Sequence, residues 1–113
     1  MRKAIALDDQ HGPLHGFLGL LYADKGEYGK ALAEGERGIA LNPGEALVYY
    51  YYGSILARAG RLQEGIEMYE KAIRLNPFAP AWYYRGLSNT LLWTGRYEEA
   101  RSAWEKAKKA RQK

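Results

Sequence analysis

The chain has 113 residues, 47% hydrophobic and 27% charged, the size of one domain with enough apolar side chain to build a core, which excludes a disordered segment. It contains no cysteine, so disulfides, thiolate metal sites and cysteine nucleophiles are excluded together. No apolar run is long enough to cross a bilayer and residues 1–8 lack a signal-peptide apolar core, so a soluble, cytoplasmic protein without membrane insertion is expected. The formal charge of +4 gathers at the C-terminal end, where Arg101, Lys106, Lys108, Lys109, Arg111 and Lys113 stand against Glu105 alone.

Lys3-Ala4-Ile5-Ala6-Leu7-Asp8 reads like Lys71-Ala72-Ile73-Arg74-Leu75-Asn76, the closing half of a helix, so the chain is expected to start in mid-repeat with a partial unit over residues 1–11. Gly12-Pro13 marks the next helix start, which leaves His11 in the preceding turn. Gly26 ends that helix, and a second runs to Leu41-Asn42-Pro43. Over residues 46–59 the apolar Val48, Tyr49, Tyr52, Ile55 and Leu56 recur at spacings of three and four, as one face of a helix requires. Gly60 stops it, because glycine tolerates the left-handed conformation that terminates helices. Leu62, Ile66, Tyr69, Ile73 and Leu75 form the face of the following helix, which closes at Asn76-Pro77. In both closing pairs the asparagine is expected to take the terminating conformation and the proline to open the next unit. A third pair of helices is divided at Gly95.

Gly26, Gly60 and Gly95 therefore recur at spacings of 34 and 35 residues, and small residues recur in register with them. These are Gly19, Ala31 and Gly38; Gly53, Gly65 and Ala72; and Ser88, Ala100 and Ala107. Small side chains at fixed places let two helix backbones approach closely, so each unit reads as a helical hairpin and the units as residues 12–45, 46–80 and 81–113 of one domain spanning residues 1–113. With Tyr28, Leu62 and Tyr97 after each turn and Pro43 and Pro77 between units, nearly the entire chain resembles the tetratricopeptide repeat family. The resemblance implies an all-α, right-handed superhelical solenoid of antiparallel hairpins, here about three full repeats and a partial one, as in a fragment of a longer array. Residues 74–84 also look like repeat arrays attached to bacterial regulatory proteins of the nucleotide-cyclase type.

Two departures bear on stability. Gly29, Gly35 and Gly38 fall inside the second helix of the first unit, each at a cost of roughly 1 kcal/mol relative to alanine, so residues 29–40 are expected to form the least stable internal helix. Gly35 stands where the other units carry Tyr69 and Trp104, while Tyr52 stands where they carry Leu18 and Leu87. Gly35 or Gly65 is expected to make room for the Tyr52 ring.

Catalytic patterns are missing. There is no phosphate-cradling glycine loop, no dinucleotide fingerprint and no nucleophile elbow, and the serines in mid-chain, Ser54 and Ser88, fall inside helices without a neighbouring histidine. His11 and His15 have metal-like spacing, but Gly12-Pro13 separates them and no third ligand follows, so neither metal nor cofactor is expected. Glu67 with Lys71 and Glu105 with Lys109 have the four-residue spacing of exposed helix pairs, which assigns the carboxylates to solvated faces rather than acid–base work. The basic tail suits the negative end of the last helix and lacks the interleaved aromatics of a nucleic-acid surface.

A non-catalytic protein–protein interaction scaffold remains. By the resemblance, the first helix of each unit lines a concave groove, whose residues here are Phe17, Leu20, Ala23 and Asp24; Tyr50, Tyr51, Ser54 and Arg58; and Trp82, Arg85, Asn89 and Trp93. Tyr50 and Tyr51 either project as an aromatic interaction surface or pack between adjacent first helices. Arg58 and Arg85 offer planar donors to a carboxylate or a backbone carbonyl. Chaperone-binding members of the family hold a terminal carboxylate with Lys, Asn and Arg, and the matching places here are read as Gly16, Leu20, Tyr51, Trp82 and Gly86, which lack that clamp. An apolar or mixed peptide, or an amphipathic helix, is the expected partner. The alternative is self-association into a dimer or filament through exposed repeat ends, with Ala103, Trp104 and Ala107 as candidates.

Overall fold

The computed structural model describes residues 11–111, and six α-helices account for nearly all of them. They are α1 (Gly12–Asp24), α2 (Tyr28–Leu41), α3 (Ala46–Arg58), α4 (Leu62–Leu75), α5 (Ala81–Trp93) and α6 (Tyr97–Arg111). Apart from His11, the partial repeat expected over residues 1–11 lies outside the described residues. Consecutive helices pair as hairpins, α1 with α2, α3 with α4 and α5 with α6, and each hairpin packs on the next. The result is a slab of 45 × 30 × 20 Å, an all-α repeat solenoid.

Each hairpin bends at its glycine. Gly26, Gly60 and Gly95 have φ of 80°, 87° and 82°, a region that costs any residue with a Cβ. The amide after each glycine donates to the carbonyl five residues earlier (Glu27 to Tyr22, 3.0 Å; Arg61 to Leu56, 2.9 Å; Arg96 to Leu91, 3.0 Å), and the glycine amide donates to the carbonyl three residues earlier. This paired closure is the Schellman motif, and it satisfies carbonyls that a helix end would leave unpaired.

The asparagine ends are built differently from the expectation. Asn42 (φ −138°) and Asn76 (φ −125°) do not enter the left-handed region. Each instead uses its side chain as an acceptor, Asn42 Oδ1 from the Gly12 amide of the preceding helix and Asn76 Oδ1 from the Phe78 amide at 3.0 Å. Pro43 and Pro77 lie in the connections and not in a first helical turn; that place is taken by Pro13 in α1, and Pro80 is the N-cap of α5. The connections also explain the change of spacing from 34 to 35. Helices α1, α3 and α5 have 13 residues each and α2 and α4 have 14, so the extra residue lies in the connection over residues 76–80, compared with residues 42–45.

Small residues set the distance between the helices of a hairpin. A Cβ on Gly19 would lie 2.8 Å from the Ala31 carbonyl oxygen, and one on Gly53 would lie 3.1 Å from that of Gly65. In the last hairpin Ser88 takes this place and turns the close approach into a hydrogen bond, its Oγ donating to the Ala100 carbonyl at 2.9 Å. The core follows the stack as successive clusters. Ala23, Ala31 and Ile55 join the first two hairpins, Val48, Tyr49, Ala72 and Tyr83 the middle, and Ile66, Tyr69, Leu87, Leu91 and Ala103 the last two. Such serial cores make each hairpin depend on its neighbours.

Tyr52 packs on Gly35, whose added Cβ would lie 2.5 Å from the ring; Gly65 faces Gly53 and Ala57 and has no part in it. The next junction reverses the arrangement. Tyr69, on the second helix, packs on Gly86 of the following first helix. One ring thus fills each junction, supplied by opposite partners.

Three surface expectations are corrected. Ala103 and Ala107 are buried, Ala103 against the preceding hairpin, which leaves only Trp104 of that trio open. Lys71 lies over the Tyr49 ring at 5.1 Å, and Glu67 accepts from Gln63 instead. Glu105 pairs with Lys108 at 3.5 Å rather than with Lys109, one of several three-residue pairs that also include Arg61–Glu64 and Arg96–Glu99. Arginine reaches a carboxylate three residues on because its fork can engage both oxygens.

Candidate interaction cleft

The first helices meet in two ways. Helix α1 lies close along α3 because Gly16 offers no side chain: a Cβ there would come within 2.9 Å of Tyr51. Helices α3 and α5 scarcely touch, and aromatic rings hold them apart. Tyr50 is the hub, with ring centroids 4.8 Å from Trp82 (81°), 5.1 Å from Tyr83 (23°), 5.5 Å from Tyr69 and 5.8 Å from Tyr51. Phe17 continues the line beyond Tyr51 at 6.1 Å. Tyr50 and Tyr51 are therefore packed between neighbouring first helices, and they do not project as free rings.

Spreading α3 from α5 opens a cleft of about 430 Å³. Tyr50, Ser54 and Arg58 line it from α3, and Trp82, Arg85, Asn89 and Trp93 line it from α5, so seven of the expected site residues come together. The other five, Ala23 among them, lie outside it. Phe17 and Tyr51 extend the aromatic line toward α1, Leu20 packs on the cluster of Ala23, Ala31 and Ile55, and Asp24 pairs with Arg58 at 2.9 Å across the first junction. That ion pair, with both side chains about half exposed, orients Arg58 more than it stabilises the fold.

The cleft floor also includes Ala57, Tyr69, Gly86 and Thr90, which sequence reasoning did not select. Gly86 was the available signal, because the same place carries Phe17 and Tyr51 in the earlier repeats; the missing ring is the reason a cleft exists here. Tyr69 fills the floor and its hydroxyl is hydrogen-bonded to Ser54 Oγ at 2.8 Å, both buried. Burial holds the Tyr69 and Tyr51 phenols above the ordinary value of 10.0 and so keeps them neutral. Thr90 is satisfied internally, donating to the Gly86 carbonyl at 2.9 Å. Arg85 and Asn89 make no hydrogen bond or ion pair among the described residues, so their donors face the cleft unused.

The two histidines serve the fold. His11 caps α1, its Nδ1 accepting from the Leu14 amide at 3.1 Å, and buried His15 contacts Glu34 at 2.8 Å. Among the described residues no three His, Cys, Asp or Glu side chains gather as a metal site, and no helix is long and apolar enough to cross a membrane.

The tetratricopeptide repeat family model matches residues 18–80 and again 53–112. The chain belongs to the tetratricopeptide repeat family. Over 61 residues it is 39% identical to an uncharacterised protein of Methanocaldococcus jannaschii, covering 53% of this chain and 69% of that one. It is 33% identical to the peroxisomal targeting signal receptor of Saccharomyces cerevisiae over 73 residues, 64% of this chain but only 12% of the receptor. Among solved structures a tetratricopeptide protein, MamA, superposes with a TM-score of 0.80 at 27% identity, covering 98% of this chain and 64% of MamA. The second repeat domain of Spaghetti (RPAP3), solved bound to an HSP90 peptide, has the same fold at a TM-score of 0.76 and 19% identity, covering 89% of this chain and 93% of that one. Tetratricopeptide arrays are protein-interaction scaffolds, and the α3–α5 cleft is the place in this one where polar donors and aromatic walls converge.

Proposed function

We propose that the chain is a non-catalytic scaffold that binds a peptide or helix of another protein across its first helices, anchored in the α3–α5 cleft. The observation that carries this reading is the pairing of unused donors, Arg85 and Asn89, with the aromatic surfaces of Trp82 and Trp93 in one open cleft. An apolar or aromatic side chain of the partner enters between Tyr50 and Trp93, while Arg85, Asn89 and the Asp24-oriented Arg58 donate to its backbone carbonyls or a carboxylate. Gly16 and Leu20 supply no charge to this face, which separates it from a chaperone-type clamp. The HSP90 peptide bound by the Spaghetti domain supports peptide binding by the fold.

Affinity capture from the source lysate tests this. Wild type and a Trp82→Ala/Arg85→Ala/Trp93→Ala variant of equal helicity are compared; capture lost in the variant supports the cleft, and equal capture refutes it.

A second reading, self-assembly, is favoured by one observation at the end of the stack. Leu92 (47%), Tyr97 (67%) and Trp104 (44%) are exposed around a hollow of about 390 Å³. Trp104 holds the place of Tyr69, which the next hairpin covers. Light scattering across concentration decides it, since a strict monomer removes this reading.

A further inference from the structure

The second-helix side carries another concave surface that the peptide cleft does not use. Helices α4 and α6 stand apart above α5, bridged at one end where Arg96 donates to Gln63 Oε1 at 3.0 Å. Between them runs a furrow of about 500 Å³ with an apolar floor that includes Ile73, Leu87 and Ala103. It opens into a second hollow of about 320 Å³, where the 76–80 connection meets the end of α6, and both hollows share Tyr84 and Lys106. The extra residue in that connection accompanies a Phe78 that is 86% exposed at the hollow's edge.

Charge along this surface is divided between its two ends. Glu70 and Glu99 line it toward the bridged end, where Arg96 pairs with Glu99 and also feels the Glu70 carboxylate. Toward Phe78 stand Arg74, Lys106 and Lys109, and none of them has an ion pair among the described residues, whereas Lys108 beside them is paired with Glu105. Cations gathered without counterions repel one another, and a ligand bearing carboxylates relieves that repulsion. An exposed phenylalanine among cations also suits an anionic bilayer. Two adjoining hollows favour inserted side chains over a flat headgroup plane.

We propose that this furrow is a second docking surface for an acidic, amphipathic segment of a partner protein, with apolar side chains on the Ile73–Leu87–Ala103 floor and carboxylates at Arg74, Lys106 and Lys109. The scaffold then engages two segments at once, one on each side of α5.

The test selects a random-peptide phage library on the full chain carrying Trp82→Ala/Arg85→Ala, which disables the first cleft. The expected result is enrichment of peptides that combine Asp or Glu with Leu or Phe. A synthetic copy then binds Lys106→Glu/Lys109→Glu about tenfold more weakly, the sum of two reversed exposed charges. Phe78→Ser, at an exposed position whose side chain the fold does not bury, also weakens binding. Enriched peptides without carboxylates, peptides indifferent to both variants, or no enrichment would each overturn the proposal. So would binding to phosphatidylserine vesicles without binding to acidic peptides, which would assign the surface to a membrane.

Discussion

Gly35→Ala sets two effects of similar size against each other. Alanine in the interior of α2 gains about 1 kcal/mol of helix propensity over glycine. Its Cβ, however, lies 2.5 Å from Tyr52 Cδ1 and 3.1 Å from Ile55 Cδ1, and Cδ1 is near the root of a rigid ring. The ring must retreat by about 1 Å to reach ordinary contact, an overpacking cost of about 1–3 kcal/mol, and its hydrogen bond to Glu36 at 3.1 Å moves with it. The net expectation is a loss of about 1 kcal/mol, or about 4 °C in Tm for a domain of this size. Tyr52→Leu, which restores the residue type of Leu18 and Leu87, removes the obstacle, so in that background Gly35→Ala stabilises by about 1 kcal/mol. Urea denaturation of the wild type, both single variants and the double variant, with the slope checked for constancy, yields the coupling, expected at about 2 kcal/mol. A single variant Gly35→Ala more stable than wild type, or strict additivity, would refute the account of this junction.

Other consequences are more direct. Burial, followed by the Glu36 carboxylate, pushes the Tyr52 phenol up to about 12 from 10.0; a raised folded value means that its contribution is full below pH 10 and is lost as pH rises toward 12. Tyr52→Phe removes that part of the alkaline loss, which phenolate absorbance and denaturation above pH 10 measure. Amide hydrogens of α2, with its interior glycines, exchange faster than those of α4; slower exchange in α2 contradicts the helix ranking. Gly60→Ala meets no atom within 4 Å but must hold φ near 87°, so it costs about 1–2 kcal/mol of backbone strain alone, read from the urea midpoint. An unchanged midpoint would mean that the turn relaxes.

The hairpins were legible because three signals coincided at each turn: a small-residue register, an apolar face at helical spacing and a glycine that only a left-handed turn requires. Residue types at Asn42 and Asn76 were ambiguous, since asparagine can cap by backbone or by side chain, and here the side chain wins. The site was legible in part. Residues of one helix face, such as Ser54, Arg58, Arg85 and Asn89, are fixed by periodicity, but the direction of Tyr50 depends on how far α3 stands from α5, and that is set by Tyr69 and Gly86 in other elements. Leu20 shows the converse: the same periodic place on α1 faces a closer neighbour and joins the core. The i,i+4 pairing rule failed at Lys71 because an aromatic face, Tyr49, lies within its reach.

Site-specific photo-crosslinking tests the central claim most directly. A photoreactive residue is placed at Asn89, in the α3–α5 cleft, and in a separate protein at Lys30, whose side chain is 69% exposed on α2 away from it. After capture of the partner, a crosslink from Asn89 with none from Lys30 is the predicted result. Crosslinks of equal yield from both positions, or from Lys30 alone, would contradict binding in the cleft.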